Sequence, residues 1–399
     1  MLKYVLFLLL FPLSAIAQFT VSGNVINLSD KKPIAKASIF LSNTTVGTAS
    51  GDDGSYTLRN VKMGQYQLVV TAVGYESYYA TITVSQNLSL PNIEMVVKSI
   101  ALNDVVIKPD ADWDNNYAAF KQEFFGPSEF AAQCKILNPE MLDISYNKAQ
   151  RVLSATSYDD LIIENKALGY RLRYHLNQFQ KEYQAGYLYY EGTVLFENLS
   201  GSKSQLKRWH KNRREAYFGS TEHYLRSVIS KRTEADGFKT LTLIRKPNPN
   251  RPPDSLIKAK IKQFTPRLTA NRMVIKKNDS LDYWLAKSRL PQMASYLVKQ
   301  PLKVDSLVKK TDQKGILALG YNYYLYVMYT KKHGNNIANS TLDAPDYATT
   351  IVGITAPYAF FDYNGVILNP AGVIFEGEWG MHRIAKLLPV DYEPDNEKP

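Results

Sequence analysis

Between Phe19 and about Lys108 the apolar positions come in short, β-like runs. They are FTVSGNVIN, ASIFLSN, SYTLRNV, QYQLVVTAV and YYATITV, rich in β-branched and aromatic residues. Turn-forming clusters separate them: SDKKP, SGDDG and KMG. Strands at this spacing with no helical stretch predict a β-sandwich. IEMVVKSIALNDVVIKP reads as further strand, and Pro109 with the acidic DADWDNN closes the unit, so a first domain is expected over residues 18–108.

After Asp110 the pattern mixes periods. NYAAFKQEFFG places Tyr117, Phe120 and Phe124 at helical spacing. DLIIENKALGYRLRYHLNQFQ and YQAGYLYYEGTVLFENL read as a long antiparallel pair, with Leu168, Tyr170, Leu172, Tyr174 and Leu176 alternating over half of the first. QLKRWHKNRREAYF and STEHYLRSVISKR read as two helices, the second capped by Ser220 and burying Tyr224, Leu225, Val228 and Ile229. KPNPNRPPD is a loop, and the last third returns to strand, with Asn364-Gly365 as a hairpin turn and MHRIAKLLP as a closing helix. Tyr321 to Tyr329 puts aromatics on both faces of one strand, which suggests a sheet partly open on one side. The fold class is therefore multidomain: an all-β sandwich, then an α+β domain over 109–390 with an antiparallel sheet and basic helices, and a tail over 391–399. The helices, the basic segment and the polar end argue against an outer-membrane barrel.

The first 17 residues have the form of a secretory signal: Lys3, an apolar run from Tyr4 to Phe11, and Ala15-Ile16-Ala17 before Gln18. That run is too short for a membrane span, and no later segment approaches the length one needs. The expected location is exported, periplasmic or associated with the outer membrane. Cys134 is the single cysteine, which excludes an intrachain disulfide. Its apolar neighbours in FAAQCKIL favour an inert, buried thiol.

Gly23, Pro33 and Ala37, followed by VGTASGDDGSYTL, VKMGQYQLVV and VGYES, resemble the carboxypeptidase-regulatory-like domain. The resemblance implies a transthyretin-like seven-stranded sandwich of the kind found at the N-terminus of exported Bacteroidota proteins, and it implies no catalytic residue. FGPSEFAAQCKILNPEMLDISY, LIIENKALGYRLRYHLNQF, WHKNRREAYFGSTEHYLRS and FEGEWGMHRIAKLLPVDY are similar to the body of such proteins of unknown function. That likeness brings no activity with it.

Gly51-Asp52-Asp53-Gly54 poses a choice between a calcium loop and a turn. With Gly54 as the loop's invariant glycine, Ala49 and Gly51 fall on ligand positions and Asn60 replaces the bidentate glutamate. A hairpin turn explains the stretch better, because glycine supplies the positive φ and aspartate tolerates it.

The net charge is +11 and is unevenly spread. Residues 201–277 hold twenty Lys and Arg against five Asp and Glu, leaving the rest at −4. Such a segment suits an anionic envelope partner such as lipopolysaccharide or an acidic glycan, or else a solvated helical face. Export disfavours nucleic acid.

Catalytic patterns are missing. His175, His210, His223, His333 and His382 fall in no zinc motif, so no metal and no cofactor is expected. Ser200-Gly-Ser-Lys203 and Ser204-Gln-Leu-Lys207 satisfy S-x-x-K, but the facing K-T-G strand is absent. The densest polar constellation is His210, Arg213, Arg214 and Tyr217 on one helical face, with His223 and Arg226 one turn apart on the next helix. Arginine forks near a helix N-terminus suit a phosphate or carboxylate. The alternative is that Arg213 and Arg214 pair with acids such as Glu164 or Glu191 and pin the helices to the sheet. Tyrosine is abundant, at 28 residues, which suits sugar stacking as well as half-buried sheet faces. The expectation is a non-enzymatic binding or assembly role at the cell envelope, with a glycan, lipopolysaccharide or envelope protein as partner. The rival is a hydrolase whose site is assembled from dispersed residues of the second domain.

Overall fold

The computed structural model describes residues 18–98, 112–265, 279–334 and 342–394. The proposed signal (1–17) and the domain junction near Pro109 lie outside the described residues.

The first unit contains β1 (Phe19–Asn27), β2 (Ser38–Leu41), β3 (Gly47–Ala49), β4 (Ser55–Val61), β5 (Gly64–Thr71), β6 (Tyr78–Val84), β7 (Leu88–Ser89) and β8 (Ile93–Met95). One sheet is ordered β4-β1-β7, with β8 also on β1, and the other β3-β2-β5-β6. It is a sandwich, with eight short strands where the resemblance implied seven. Val21, Val25 and Leu58 from one sheet meet Ile39, Leu41, Leu68 and Val70 from the other in the core.

Asp52-Asp53-Gly54 is a turn, but not a hairpin turn. It carries the chain from β3 in one sheet to β4 in the other. Gly54 has φ +76°, and a Cβ there would lie 2.6 Å from the Val25 carbonyl oxygen. Asp53 Oδ1 accepts from the Ser55 amide at 3.0 Å and from the Ser55 hydroxyl at 2.7 Å, so this carboxylate is occupied within the turn.

The second unit opens with helix α1 (Trp113–Phe125), then β9 (Cys134–Ile136), β10 (Leu142–Asn147), β11 (Val152–Ser157), β12 (Leu161–Asn165), β13 (Tyr170–Glu182) and β14 (Tyr187–Asn198). The expected single strand from Asp160 to Gln180 breaks into β12 and β13. Asn165 Oδ1 accepts the Ala167 and Leu168 amides, and Gly169 at φ +72° completes the reversal. One edge of the long β13 pairs with both β12 and β11, and its other edge pairs with β14 along its length. The register slips between Leu176 and Gln178. That bulge moves the buried series from Tyr174 and Leu176 to Phe179. Phe120 and Phe124 of α1 pack on Phe179 and Tyr174 with ring centroids 4.8 and 5.4 Å apart.

Helices α2 (Lys203–Tyr217) and α3 (Thr221–Ile229) follow. Ser202 and Gln205 form a capping box on α2, and Ser220 caps α3 by accepting from the His223 amide. Tyr224, Leu225 and Val228 are buried as expected, with Ile229 packed at the margin.

Then come β15 (Phe238–Pro247), a helical hairpin of α4 (Asp254–Phe264) and α5 (Asp279–Arg289), β16 (Met293–Val298), β17 (Val308–Lys310), β18 (Ile316–Leu319), β19 (Tyr324–His333), β20 (Tyr347–Ile354), β21 (Ala359–Asp362) and β22 (Val373–Gly377). The main sheet is ordered β16-β15-β19-β20-β22 and is antiparallel throughout. Leu325, Val327 and Tyr329 bury against one cluster, while Tyr326 and Met328 bury against another. Both faces of β19 are thus covered, contrary to the expected open side. The closing segment is one turn (Glu378–Met381) and a 3₁₀ turn (Ile384–Lys386) in place of a single helix.

Candidate functional site

The two units meet through an interface that neither could form alone. Ser42 to Thr45, leaving β2, run beside β14 and form a parallel bridge between Thr44 and Leu195. The Asn43 amide donates to the Val194 carbonyl at 2.7 Å and the Phe196 amide to the Thr44 carbonyl at 3.0 Å. Phe40, Val69 and Leu195 bury a small apolar contact there.

A second contact lies at the turn after β21. Asn364 donates to the Met63 carbonyl at 2.9 Å and to the Tyr66 hydroxyl at 3.2 Å. Asp362, with no exposed surface, accepts from the Asn364 and Val366 amides. The close approach requires Gly64, since a Cβ there would lie 2.3 Å from Asn364 Nδ2.

The C-terminal segment forms the third contact. The Val390 amide donates to the Asn43 carbonyl at 2.7 Å, Asp391 accepts from the Thr45 amide at 2.8 Å and from its hydroxyl, and Glu393 pairs with Lys62. Residues 391–394, expected as the start of a tail, are therefore packed between the units, with Tyr392 buried.

These contacts border a cleft of about 660 Å³. One wall is Thr45 to Thr48, Thr57, Arg59, Asn60 and Lys62 of the sandwich, and the other is Tyr170, Asn198, Arg213, Pro389 and Asp391 to Glu393. In β4 the inward residues are Tyr56, Leu58 and then Val61, so the alternation skips one position. Asn60 takes φ +59°, the β1–β4 register shifts opposite it, and Arg59 and Asn60 both project outward into the cleft. Cations (Arg59, Lys62, Arg213) and anions (Asp391, Glu393) nearly balance.

The arginines and histidines singled out in the sequence are largely committed to the fold. Arg213 lies over the Tyr170 ring, 3.9 Å from its centroid, and donates to the Leu168 carbonyl at 2.8 Å, the Gly169 carbonyl at 3.3 Å and Asn198 Oδ1 at 3.2 Å. Arg226 donates to the carbonyls of Asn364, Val390 and Tyr392 at 2.8, 2.7 and 3.1 Å and to the Tyr217 hydroxyl at 3.4 Å. Arg214 donates to the Pro394 carbonyl at 3.0 Å. His223 is enclosed by Tyr217, Phe218, Phe238 and Tyr329, and its Nδ1 accepts from the Gly219 amide at 3.1 Å. Burial pushes its pKa down to about 4.

The fold thus brings Tyr217, His223 and Arg226 together, places Arg213 in the cleft wall, and leaves His210 half-buried one turn earlier on α2. Instead of an open arginine pocket, the forks clamp residues 390–394, the turn at Asn364 and the β12–β13 turn through carbonyl oxygens. Glu164 takes Arg171 and Lys166, and Glu191 accepts from Tyr189, so neither acid has the role expected of it.

Two other polar clusters of the second unit pair a histidine with a carboxylate. His175 Nδ1 lies 3.4 Å from Asp160 Oδ1. Glu378, held down to about 2 by its hydrogen bonds to His382 and Lys332, borders a cavity of about 10 Å³ that has room for a single water. Cys134 donates to the Phe130 carbonyl at 3.4 Å, and burial pushes its thiol up to about 12.

The cleft residues Arg59, Asn60 and Lys62 were missed in the sequence, although a signal for them exists. The step from Leu58 to Val61, two polar residues instead of one, marks the bulge that aims them. Asp391 and Glu393 carry no comparable signal.

Residues 21–107 match the CarboxypepD_reg-like domain family. No curated protein matches the chain. Among solved structures, similarity extends to a cohesin–X-dockerin complex of Acetivibrio cellulolyticus, at 23% identity over 20% of this chain and 58% of that one, with a TM-score of 0.18. It extends also to a putative carbohydrate-binding protein of Bacteroides uniformis, at 8% identity over 38% and 56% with a TM-score of 0.17. A DUF3823 family protein of Bacteroides ovatus shares 12% identity over 46% and 83%, with a TM-score of 0.18. The chain spans less than two thirds of the first of these.

Proposed function

We propose that this is an exported cell-envelope protein with a non-enzymatic binding role, and that the cleft between its sandwich and its second domain holds a polar glycan. The observation that carries this is the bulge in β4, which turns Arg59 and Asn60 together into a cleft of about 660 Å³. A volume of this size accepts a short oligosaccharide. Near-balanced cations and anions suit a ligand with many hydroxyls and little net charge, because each polar group can trade water for a hydroxyl. No histidine lines the cleft among the described residues.

Calorimetric titration of the full chain with a neutral glucan oligosaccharide and with a uronic-acid oligosaccharide tests it. Binding of either that weakens about tenfold in Arg59→Ala/Asn60→Ala, the loss of one hydrogen bond to a charged group, supports the cleft. Binding of neither sugar, or equal binding by the variant, removes the proposal.

A further inference from the structure

Helix α2 has a buried face and a charged one. Trp209, Arg213, Ala216 and Tyr217 are buried. Trp209 donates to the Lys166 carbonyl and Asn212 to the Ala167 carbonyl, each at 2.8 Å, which fastens the helix rigidly over the β12–β13 turn. Lys203, Lys207 and Lys211 recur every fourth residue on the opposite face, with Arg208 beside them, and all four are exposed. Among the described residues none of the four is in an ion pair. Glu215, one turn beyond Lys211, is the acid on that sector. Leu206, with 51% of its surface exposed, lies on the sector of Trp209, Arg213 and Tyr217, about 100° around the helix from Lys207.

This arrangement works against the helix. The first turn holds no acid and does hold Lys203, at the end where the backbone dipole is already positive. Lys203, Lys207 and Lys211 are like charges four residues apart, a spacing that also destabilises a helix. A solvated face that served stability alone would mix signs and place acids first. Four unpaired cations concentrated where they cost stability mark a surface shaped for an anionic partner.

We infer that the outward face of α2 docks the protein on an anionic lipid surface. Three lysines spaced along a rigid rod span about 12 Å at the helical rise of about 1.5 Å per residue, which fits a plane of lipid phosphates. Charge complementarity between this outward cationic row and a sheet of lipid phosphates carries the assignment. This surface differs from the glycan cleft, whose α2 contribution is the buried Arg213.

Flotation of the full chain with phosphatidylcholine vesicles, with and without phosphatidylglycerol, tests the inference without any glycan. Binding is expected only to the anionic vesicles, and it should fall as salt rises. The variant Lys203→Gln/Lys207→Gln/Arg208→Gln/Lys211→Gln should lose about fivefold in affinity per charge removed. Its thermal midpoint should stay level or rise, which separates lost docking from lost folding. Lys258→Gln/Lys260→Gln/Lys262→Gln, on α4, should keep the binding, and an equal loss there would overturn the assignment to α2. Leu206→Ala, on another sector of the helix, should keep vesicle binding, and a loss equal to that of the four-site variant would overturn the assignment to the lysine face. Retention on dextran sulfate with no vesicle binding would point to a soluble polyanion and overturn the lipid assignment, as would vesicle binding unaffected by the four-site variant.

Discussion

Asn364 donates its side-chain amide to the backbone carbonyl of Met63 at 2.9 Å, so a turn residue of the second domain is hydrogen-bonded into the first. The same amide also reaches the Tyr66 hydroxyl. Asn364→Ala leaves both acceptors without this buried donor and should cost about 2 kcal/mol. Urea denaturation should show the drop, and an unchanged midpoint would mean that the two units are held by their other contacts alone.

Gly64→Ala probes the same junction from the sandwich side. The new Cβ would meet Asn364 Nδ2 at 2.3 Å and Asp362 Oδ2 at 2.6 Å. A lowered melting temperature is expected, with limited proteolysis cutting near the junction sooner than in the parent chain. Equal proteolysis rates would contradict the tight approach.

Gly54→Val should disrupt the sandwich, since it adds a β-branched residue at φ +76° facing the Val25 carbonyl. Asp52→Asn and Asp53→Asn should leave stability near the parent value, because asparagine still accepts from Ser55. Circular dichroism melts of the three variants make the comparison, and a Gly54→Val melt that matches the parent would contradict the required positive φ.

Glu222 gives a pH dependence of opposite sign to its neighbour His223. Burial raises the Glu222 carboxyl to about 7 against Arg226's opposing pull, so the folded chain keeps a proton that the unfolded chain releases at about 4.5. The resulting penalty is absent below pH 4.5, grows up to about 7 and stays constant above. Glu222→Gln should therefore gain stability relative to the parent between pH 5 and pH 8, by up to about 3 kcal/mol. His223, depressed to about 4, costs stability as pH falls from about 6.5 to 4, because the unfolded chain takes a proton that the folded one refuses. His223→Gln should flatten that limb in denaturant titrations across pH, and an unchanged limb would locate the acid sensitivity elsewhere.

Cys134 should resist a thiol reagent at pH 8 in the folded protein and react on unfolding, as a thiol pushed up to about 12 carries almost no thiolate. Rapid modification of the native chain would contradict that burial.

Periodicity along the chain was enough for the sandwich, for the helices at 113–125, 203–217 and 221–229, and for the strand character of the last third. These features depend on which residues face one way along a strand or helix, and that is local information. Even the two bulges are written there, as the skips from Leu58 to Val61 and from Leu176 to Phe179. The meaning of the GDDG stretch was only partly local: the positive φ of Gly54 was legible, but the passage between two sheets was not.

The partners of Arg213 and Arg226 were beyond reach of the sequence, because an arginine fork can be satisfied by an anion, a carboxylate or backbone carbonyls. The choice depends on which carbonyls the fold leaves unpaired beside it. Here they belong to residues 168–169, 364, 390 and 392, up to 166 positions away. The same holds for the cleft, whose walls come from residues 45–62, from Tyr170, Asn198 and Arg213, and from residues 389–393. By itself the sequence determined most of the elements, their inward faces and the uneven charge, though not the break between β12 and β13 or the shape of the closing segment. Only the tertiary structure decided which cations are consumed in holding the chain together and which, like Lys203, Lys207, Arg208 and Lys211, remain turned to solvent.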